Sequence, residues 1–338
     1  MIYFDVTKAG KAGHRSGLMR VSGRLADGLG TAAREITWPA WDHAVRGEDW
    51  FFTGELFSEQ ERPGFSDFLA ARPCRLAAIF HDAIPLKHPH ITWPQSVARH
   101  PGYMKLLARF DRVWAVSHAS REELQGFWRW QGIERPPSVD VLALGADFSG
   151  APRVVAPSSP VVPSILCVGI LEPRKNQAFL LDVCEELWRE GLAFELHVVG
   201  RVNPHFGKPI VARIKSLQKK SPGLHFHLAA SDATVARLYA RARASAFPTI
   251  AEGCGLPLLE SLWMGVPCVC SDLPVLRENA DGGGCLPVAL NDRSEWRAAL
   301  RRILTDDALQ ARLRGEATTR ALPTWDEAGA HLRRVLSA

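Results

Sequence analysis

Short, almost wholly apolar runs recur along this chain, each ending at a loop and most followed by a helical pattern. The first series is "IYFDV" (2–6), "DWFFT" (49–53), "RLAAIF" (75–80), "RVWAV" (112–116) and "SVDVL" (138–142). Strands apolar on both faces belong to a parallel sheet covered on both sides by helices. One such helix is expected to open at Ser120, with Glu123 completing a capping box. The segment 145–164 is rich in Pro, Ser and small residues, follows no period and reads as a linker. The alternation then restarts: "SILCVG" (164–169), a helix over 176–190, "FELHVVG" (194–200), "LHFHL" (224–228), a helix over 232–243, "ASAFP" (244–248), a helix over 257–264 and "VPCVCS" (266–271). With 338 residues, the chain has the length of two domains of about 150 residues each. The expected fold is α/β, with two doubly wound parallel-sheet domains at 1–147 and 164–323, a linker at 148–163, and a final helix at 324–338 packing back toward the first domain.

Composition narrows the function. Of the net charge of +5, residues 1–150 contribute 18 basic against 17 acidic side chains, so the excess is small and spread out. That is no footprint for nucleic acid. The seven cysteines include no CxxC pair, which excludes a thiolate zinc site or a disulfide framework and reads as buried thiols in a reducing compartment. The start "MIYFDVTKAG" lacks a signal peptide's charged and apolar regions, and no window reaches the ~18 apolar residues of a membrane span. A cytoplasmic protein is expected.

In doubly wound sheets ligands sit beyond the carboxyl ends of the strands, and four loops there carry unusual residues. "TKAGKAGHRSGLMRV" (7–21) places Gly10, Gly13 and Gly17 before a helix, either a phosphate cradle or a plain glycine-rich turn. "FHDAIPLKHPH" (80–90) puts His81 and Asp82 where an apolar strand stops; the histidine is either a loop residue held by a carbonyl or a functional one. "VGILEPRKNQAFLL" (168–181) sets Arg174 and Lys175 at a helix amino terminus, where they oppose the helix dipole unless an anion lies between. "AEGCGLPLLE" (251–260) brackets a Gly-x-Gly-Leu-Pro turn with Glu252 and Glu260. Pro257 suits a first helical turn and leaves the N–H groups of Gly255 and Leu256 for a ligand. A carboxylate accepting two vicinal hydroxyls is a common grip on ribose, which fits Glu260, and Glu252 could meet hydroxyls of a second sugar. The loops together describe a nucleoside diphosphate-sugar site. No paired acidic motif marks a metal for the diphosphate, so Arg174 and Lys175 are expected to neutralise it.

The stretches "VGILEPRKN", "AEGCGLPLLESLWMGVPCVCSDLPVLRE" and "TWDEAGAHL" resemble the donor domain of retaining glycosyltransferases of family GT4. The first half is similar to a bacterial subgroup with an "HD-x-x-P" loop and a "V-S" pair, here Val116-Ser117. The resemblance implies a GT-B fold, two Rossmann-like domains facing a central cleft, the first binding the acceptor and the second the donor. It implies that Glu260 binds the donor ribose, that Lys175 and Arg174 hold the diphosphate, and that Glu252 with Gly253, Cys254, Gly255 and Leu256 cradles the donor sugar. His81 would lie near the reacting carbon and Gly17 would face the phosphates. Many members carry arginine five residues before the lysine, where this chain has Ile170; either Arg174, or failing it Arg201, substitutes, or the grip on the diphosphate is weaker.

The reaction that this resemblance implies is transfer of a hexose from a GDP-mannose or UDP-sugar type of donor to a glycan or lipid-linked acceptor, in bacterial surface polysaccharide synthesis. No cofactor or metal is expected, and front-face attack makes the leaving phosphate the proton acceptor. Two alternatives stay open: a catalytically silent nucleotide-sugar-binding subunit, and a peripheral membrane contact through "GFWRWQGIER" (126–135). There Trp128, Arg129, Trp130 and Arg135 either touch head groups or pack their aromatics inside.

Overall fold

The computed structural model of the chain describes residues 1–9, 17–38, 40–148, 153 and 162–337. Gly10 and Gly13 of the first glycine-rich loop, and most of the expected linker, lie outside the described residues. Two compact units result, Met1–Gly145 with Pro323–Ala338, and Ala146–Leu322.

The first unit is built on six strands: β1 (Ile2–Asp5), β2 (Ala33–Ile36), β3 (Trp50–Thr53), β4 (Arg75–Phe80), β5 (Arg112–Ala115) and β6 (Val139–Val141). They lie in the order β2-β1-β3-β4-β5-β6, and every pairing is parallel. The chain therefore steps to one side of β1 and then crosses to the other, which puts a topological switch between β1 and β3. Phe51 and Phe52 face opposite sides of β3, and both are completely buried. Trp38, Trp41, Phe65 and Phe68 close around Phe51 on one side. The helix Trp325–Leu336 belongs to this unit and opens on a full capping box between Thr324 and Glu327.

One expected cap is different. Ser117, not Ser120, caps the helix His118–Trp130, its side chain accepting the Ser120 N–H. Glu123 turns away and takes the Ala83 N–H at 3.1 Å and the Lys87 ammonium at 2.5 Å. This helix also divides its two tryptophans. Trp128 is 1% exposed and donates its indole N–H to Met104 O, while Trp130 is 78% exposed.

The second unit carries β7 (Ser164–Val168), β8 (Glu195–Gly200), β9 (Leu224–Leu228), β10 (Ala244–Phe247), β11 (Cys268–Ser271) and β12 (Cys285–Val288). The order is β12-β11-β10-β7-β8-β9, again wholly parallel. Here the order reverses between β7 and β10, the doubly wound arrangement in which a nucleotide crevice opens at the reversal. Leu196 and Val198 enter one core with Leu180, Leu187 and Trp296; Val199 enters the other with Tyr239 and Met264. All seven cysteines are free, and only Cys254 is not fully buried. Among the described residues no helix is long and apolar enough to cross a membrane.

Candidate functional site

The loops leaving β7 and β10, on the two sides of the reversal, are joined backbone to backbone. The Ile250 N–H donates to Arg174 O at 2.9 Å, and the Asn176 side-chain amide donates to Pro248 O at 3.1 Å. Proline at the start of a short 3-10 turn, Pro173–Lys175, holds the first loop, and Asn176 ends it in the left-handed conformation at φ 57°. A third loop, the one leaving β8, supports the first. Leu171 N–H donates to Arg201 O at 2.7 Å, and Gly200 has no side chain because a Cβ there would lie 1.9 Å from Gly169 O.

This zipper brings Arg174, Lys175 and Glu252 together. Glu252 Oε1 lies 2.5 Å from Lys175 Nζ, 2.9 Å from an Arg174 nitrogen and 2.7 Å from the Thr249 hydroxyl. Both Lys175 and the Glu252 side chain are nearly buried, and the Lys175 ammonium also sits 4.9 Å from the centre of the Phe247 ring. Arg174 spans two carboxylates, its other nitrogens reaching Glu172 Oε1 at 2.9 and 3.0 Å. Glu172 in turn accepts from Asn203 at 3.0 Å.

The charges are unevenly compensated. Burial pushes the Glu252 carboxyl up, but Arg174 and Lys175 outweigh it and hold the group below the usual glutamate range. Burial lowers Lys175, Arg174 lowers it further, and Glu252 restores only part. The asymmetry has a plain cause: one carboxylate serves two cations, so the anion is well satisfied and the lysine less so.

Past Glu252 the chain turns through Gly253 and Cys254 into the helix Leu256–Trp263. Gly255 caps that helix at φ 81°, where a Cβ would meet Leu276 at 2.7 Å, so the turn is reserved for glycine. Asn279 braces it by donating to Cys254 O at 2.6 Å. Glu260 stands on this helix and is 5% exposed, an unusual burial for a carboxylate. The helix starts at Leu256, one residue before the expected position, with Pro257 in its first turn. Arg201 follows β8 directly.

The remaining expected residues belong to the first unit. Gly17 opens the helix Gly17–Leu29 and is exposed. His81, at the end of β4, is buried, and its Nε2–H donates to Gly54 O at 2.7 Å, which leaves Nδ1 as an acceptor. Burial holds this imidazole below its ordinary value, so it is neutral near pH 7. Ser120 donates to His81 O at 2.8 Å.

Sequence reasoning missed a buried cluster at the β1/β3 switch. Arg62, fully buried, bridges Asp5 Oδ2 at 2.6 Å and Glu55 Oε2 at 2.7 Å. Asp5 also accepts from Thr7 and Thr53, and Glu55 accepts the backbone N–H groups of Lys8 and Ala9 at 2.8–2.9 Å. The cluster thus anchors the entry to the glycine-rich loop. Thr249 and Glu172 were missed too; their only sequence signal is position, three residues before Glu252 and two before Arg174. The described residues with metal-ligating spacing, Glu195, His197 and His225, lie on β8 and β9 rather than in these loops.

The model of the family described as "Glycosyl transferases group 1" matches residues 162–306. A serotype-specific mannosyltransferase, WbdA of Escherichia coli, is 30% identical over 216 residues, which are 60% of this chain and 26% of the relative. O-antigen chain mannosyltransferase B of Escherichia coli is 30% identical over 144 residues, 42% of this chain and 37% of the relative. The chain spans about a quarter of the length of the first of these relatives. Among solved structures, sucrose-phosphate synthase of Thermosynechococcus elongatus superposes with a TM-score of 0.79 at 17% identity, covering 99% of this chain and 98% of its own. The Anabaena protein HepE in complex with UDP does so with a TM-score of 0.73 at 15% identity, over 99% of both chains.

Proposed function

The chain has the GT-B fold and its residues 162–306 are a glycosyl transferases group 1 domain, and on that premise we propose that it moves a hexose from a nucleoside diphosphate sugar to a glycan or lipid-linked acceptor. The carrying observation is the convergence of Lys175, Arg174 and Glu252 at the β7/β10 reversal, one turn of chain from buried Glu260. Mannosyltransferases among the relatives, two of them named for O-antigen chains, favour GDP-mannose as donor and a surface polysaccharide as product; the UDP bound to a structural neighbour keeps UDP-sugars in view.

Glu260 accepts the ribose hydroxyls, and Lys175 with Arg174 takes the diphosphate. To do so the cations exchange Glu252 for phosphate oxygens, and Glu252, released, accepts hydroxyls of the sugar in the Gly253–Leu256 turn. Charge that grows on the departing diphosphate then meets two donors that donor binding has already put in place, so the exchange precedes the chemical step. The leaving phosphate takes the acceptor's proton, so the sugar keeps its anomeric configuration without a protein nucleophile. Neutralisation by Lys175 and Arg174 makes the transfer independent of a divalent ion.

The test is a thermal melt against UDP-, GDP-, ADP- and TDP-sugars, followed by product analysis with the donor that binds. A ligand at 100 times its Kd adds about 2.7 kcal/mol. One donor should stabilise the chain, and EDTA should leave the transfer rate unchanged. Stabilisation by none refutes the donor site; stabilisation without transfer to any glycan acceptor makes the chain a silent binding subunit.

A further inference from the structure

The one dense group of imidazoles in the described second unit lies away from the loops that hold Arg174, Lys175 and Glu252. β8 and β9 run parallel with His197 opposite His225 and Val199 opposite His227. Alternation sends Leu196 and Val198 into the core and puts Glu195 and His197 on the other face, together with His225 and His227 of β9. His197 Nε2 is 3.1 Å from Glu195 Oε2, and His225 Nε2 is 3.8 Å from Glu195 Oε1. One ligand atom from each of these three residues lies within 4.8 Å of the other two. The His197 and His225 rings stack at 4.7 Å, and both Nε2 atoms face the Glu195 carboxylate.

We propose that Glu195, His197 and His225 bind a divalent transition-metal ion of the zinc type, with His227 orienting His197 from the far side of its ring. Three facts carry it. A tetrahedral zinc ion with bonds of about 2.0–2.1 Å keeps its donors about 3.3 Å apart, and the two measured separations, 3.1 and 3.8 Å, bracket that value. Imidazole with a single carboxylate is a donor set for zinc and its neighbours, whereas magnesium and calcium take oxygen.

The third fact is the outer partner. His197 Nδ1 lies 3.0 Å from His227 Nε2. A metal-bound histidine characteristically donates its other ring N–H to a neighbour, which fixes tautomer and ring plane; here His197 Nε2 takes the ion while Nδ1–H donates to His227. Partial exposure of Glu195 and His225 leaves an entry path. β9 is the edge strand of its sheet. A bound ion therefore clips that edge to β8, the strand that Arg201 follows, and it does so from residues that the transfer reaction does not use.

Calorimetry on the tag-free, chelator-treated full chain with ZnCl2 tests this, beside His197→Ala, His225→Ala and His227→Ala. One ion per chain should bind in the micromolar range or tighter, and MgCl2 should give no heat. Loss of either ligand should weaken zinc at least about a hundredfold, and loss of the outer histidine about ten- to a hundredfold. Co²⁺ added to the unaltered chain should give the absorption bands of a four-coordinate site, a readout independent of any variant. Zinc affinity no better than millimolar, absence of the cobalt bands, or undiminished zinc binding in His197→Ala and His225→Ala overturns the site.

Discussion

Glu252→Gln separates what the carboxylate does for the fold from what it does for the ligand. The amide keeps the shape and can still accept from Thr249 and Arg174, so the change removes charge alone. Arg174 retains Glu172, but Lys175 loses its only ion-pair partner among the described residues while nearly buried. Breaking a buried pair from one side costs about 3–5 kcal/mol. The lysine can instead give up its proton, which sets a ceiling. From an ordinary value of 10.5 to pH 7, at 1.36 kcal/mol per unit, neutralisation costs about 4.8 kcal/mol. Lys175 already sits below 10.5, so the low end of that range is expected, about 3 kcal/mol, or a melting temperature about 6–12 °C lower for the unit Ala146–Leu322. Binding should move the other way. A diphosphate must displace this carboxylate from Lys175 and Arg174, and one such charge term is worth at most about 4 kcal/mol at 4 Å and an effective dielectric of 20. Calorimetry should therefore show the free nucleoside diphosphate binding about tenfold tighter to Glu252→Gln. The preference for the sugar nucleotide over that diphosphate should shrink, since a charged hydrogen bond to sugar hydroxyls is worth about 1.5–3 kcal/mol. A variant that melts like the wild type and binds the diphosphate more weakly would refute the exchange of partners.

Glu260→Ala should leave the melting temperature within a few degrees of wild type and weaken donor binding by about 1.5–3 kcal/mol; an unchanged Kd removes the ribose role. Acid should destabilise the fold through its buried histidines. His81 and His100 are both held below 6.5 by burial, so the unfolded chain binds more protons than the folded one below pH 6.5, and stability is lost as pH falls through that value. Denaturant midpoints at pH 8.0 and 5.5 check this, and a higher midpoint at pH 5.5 contradicts it.

The interior strands were legible because burial on both faces leaves a continuous apolar run, as in "RLAAIF" and "SILCV". The strands missed, β2 and β12, each lie at one edge of their sheet, although β6 and β9 at the opposite edges were legible. β2 reads "AREI" and buries only Ile36; β12 reads "CLPV" and tolerates Pro287 because no further strand needs its N–H. The site was legible where spacing alone carries chemistry, in Arg174-Lys175 and Glu252…Glu260. It was not legible where distant residues meet. Arg62, in "ERPG", looks like surface until the fold closes Asp5 and Glu55 around it, and nothing in "ELHVV" or "LHFHL" announces that parallel register sets His197 opposite His225. The cap was misread for a related reason: Ser117 and Ser120 both stand at the helix start, but Ser120 lies inside the helix and gives its N–H to Ser117, while Glu123 bonds to Ala83 and Lys87.

The central claim is that the cations at the β7/β10 reversal stabilise the departing diphosphate. Turnover and donor Kd of Lys175→Ala test it most directly, measured beside Arg174→Ala. One transition-state contact of this kind is worth about 2.7–4 kcal/mol, or roughly a hundred- to a thousandfold in rate. The account predicts that loss in kcat for Lys175→Ala with a clearly smaller change in donor Kd, and nearly as large a loss for Arg174→Ala if it stands in for the arginine that Ile170 replaces. Wild-type turnover in both variants would contradict it.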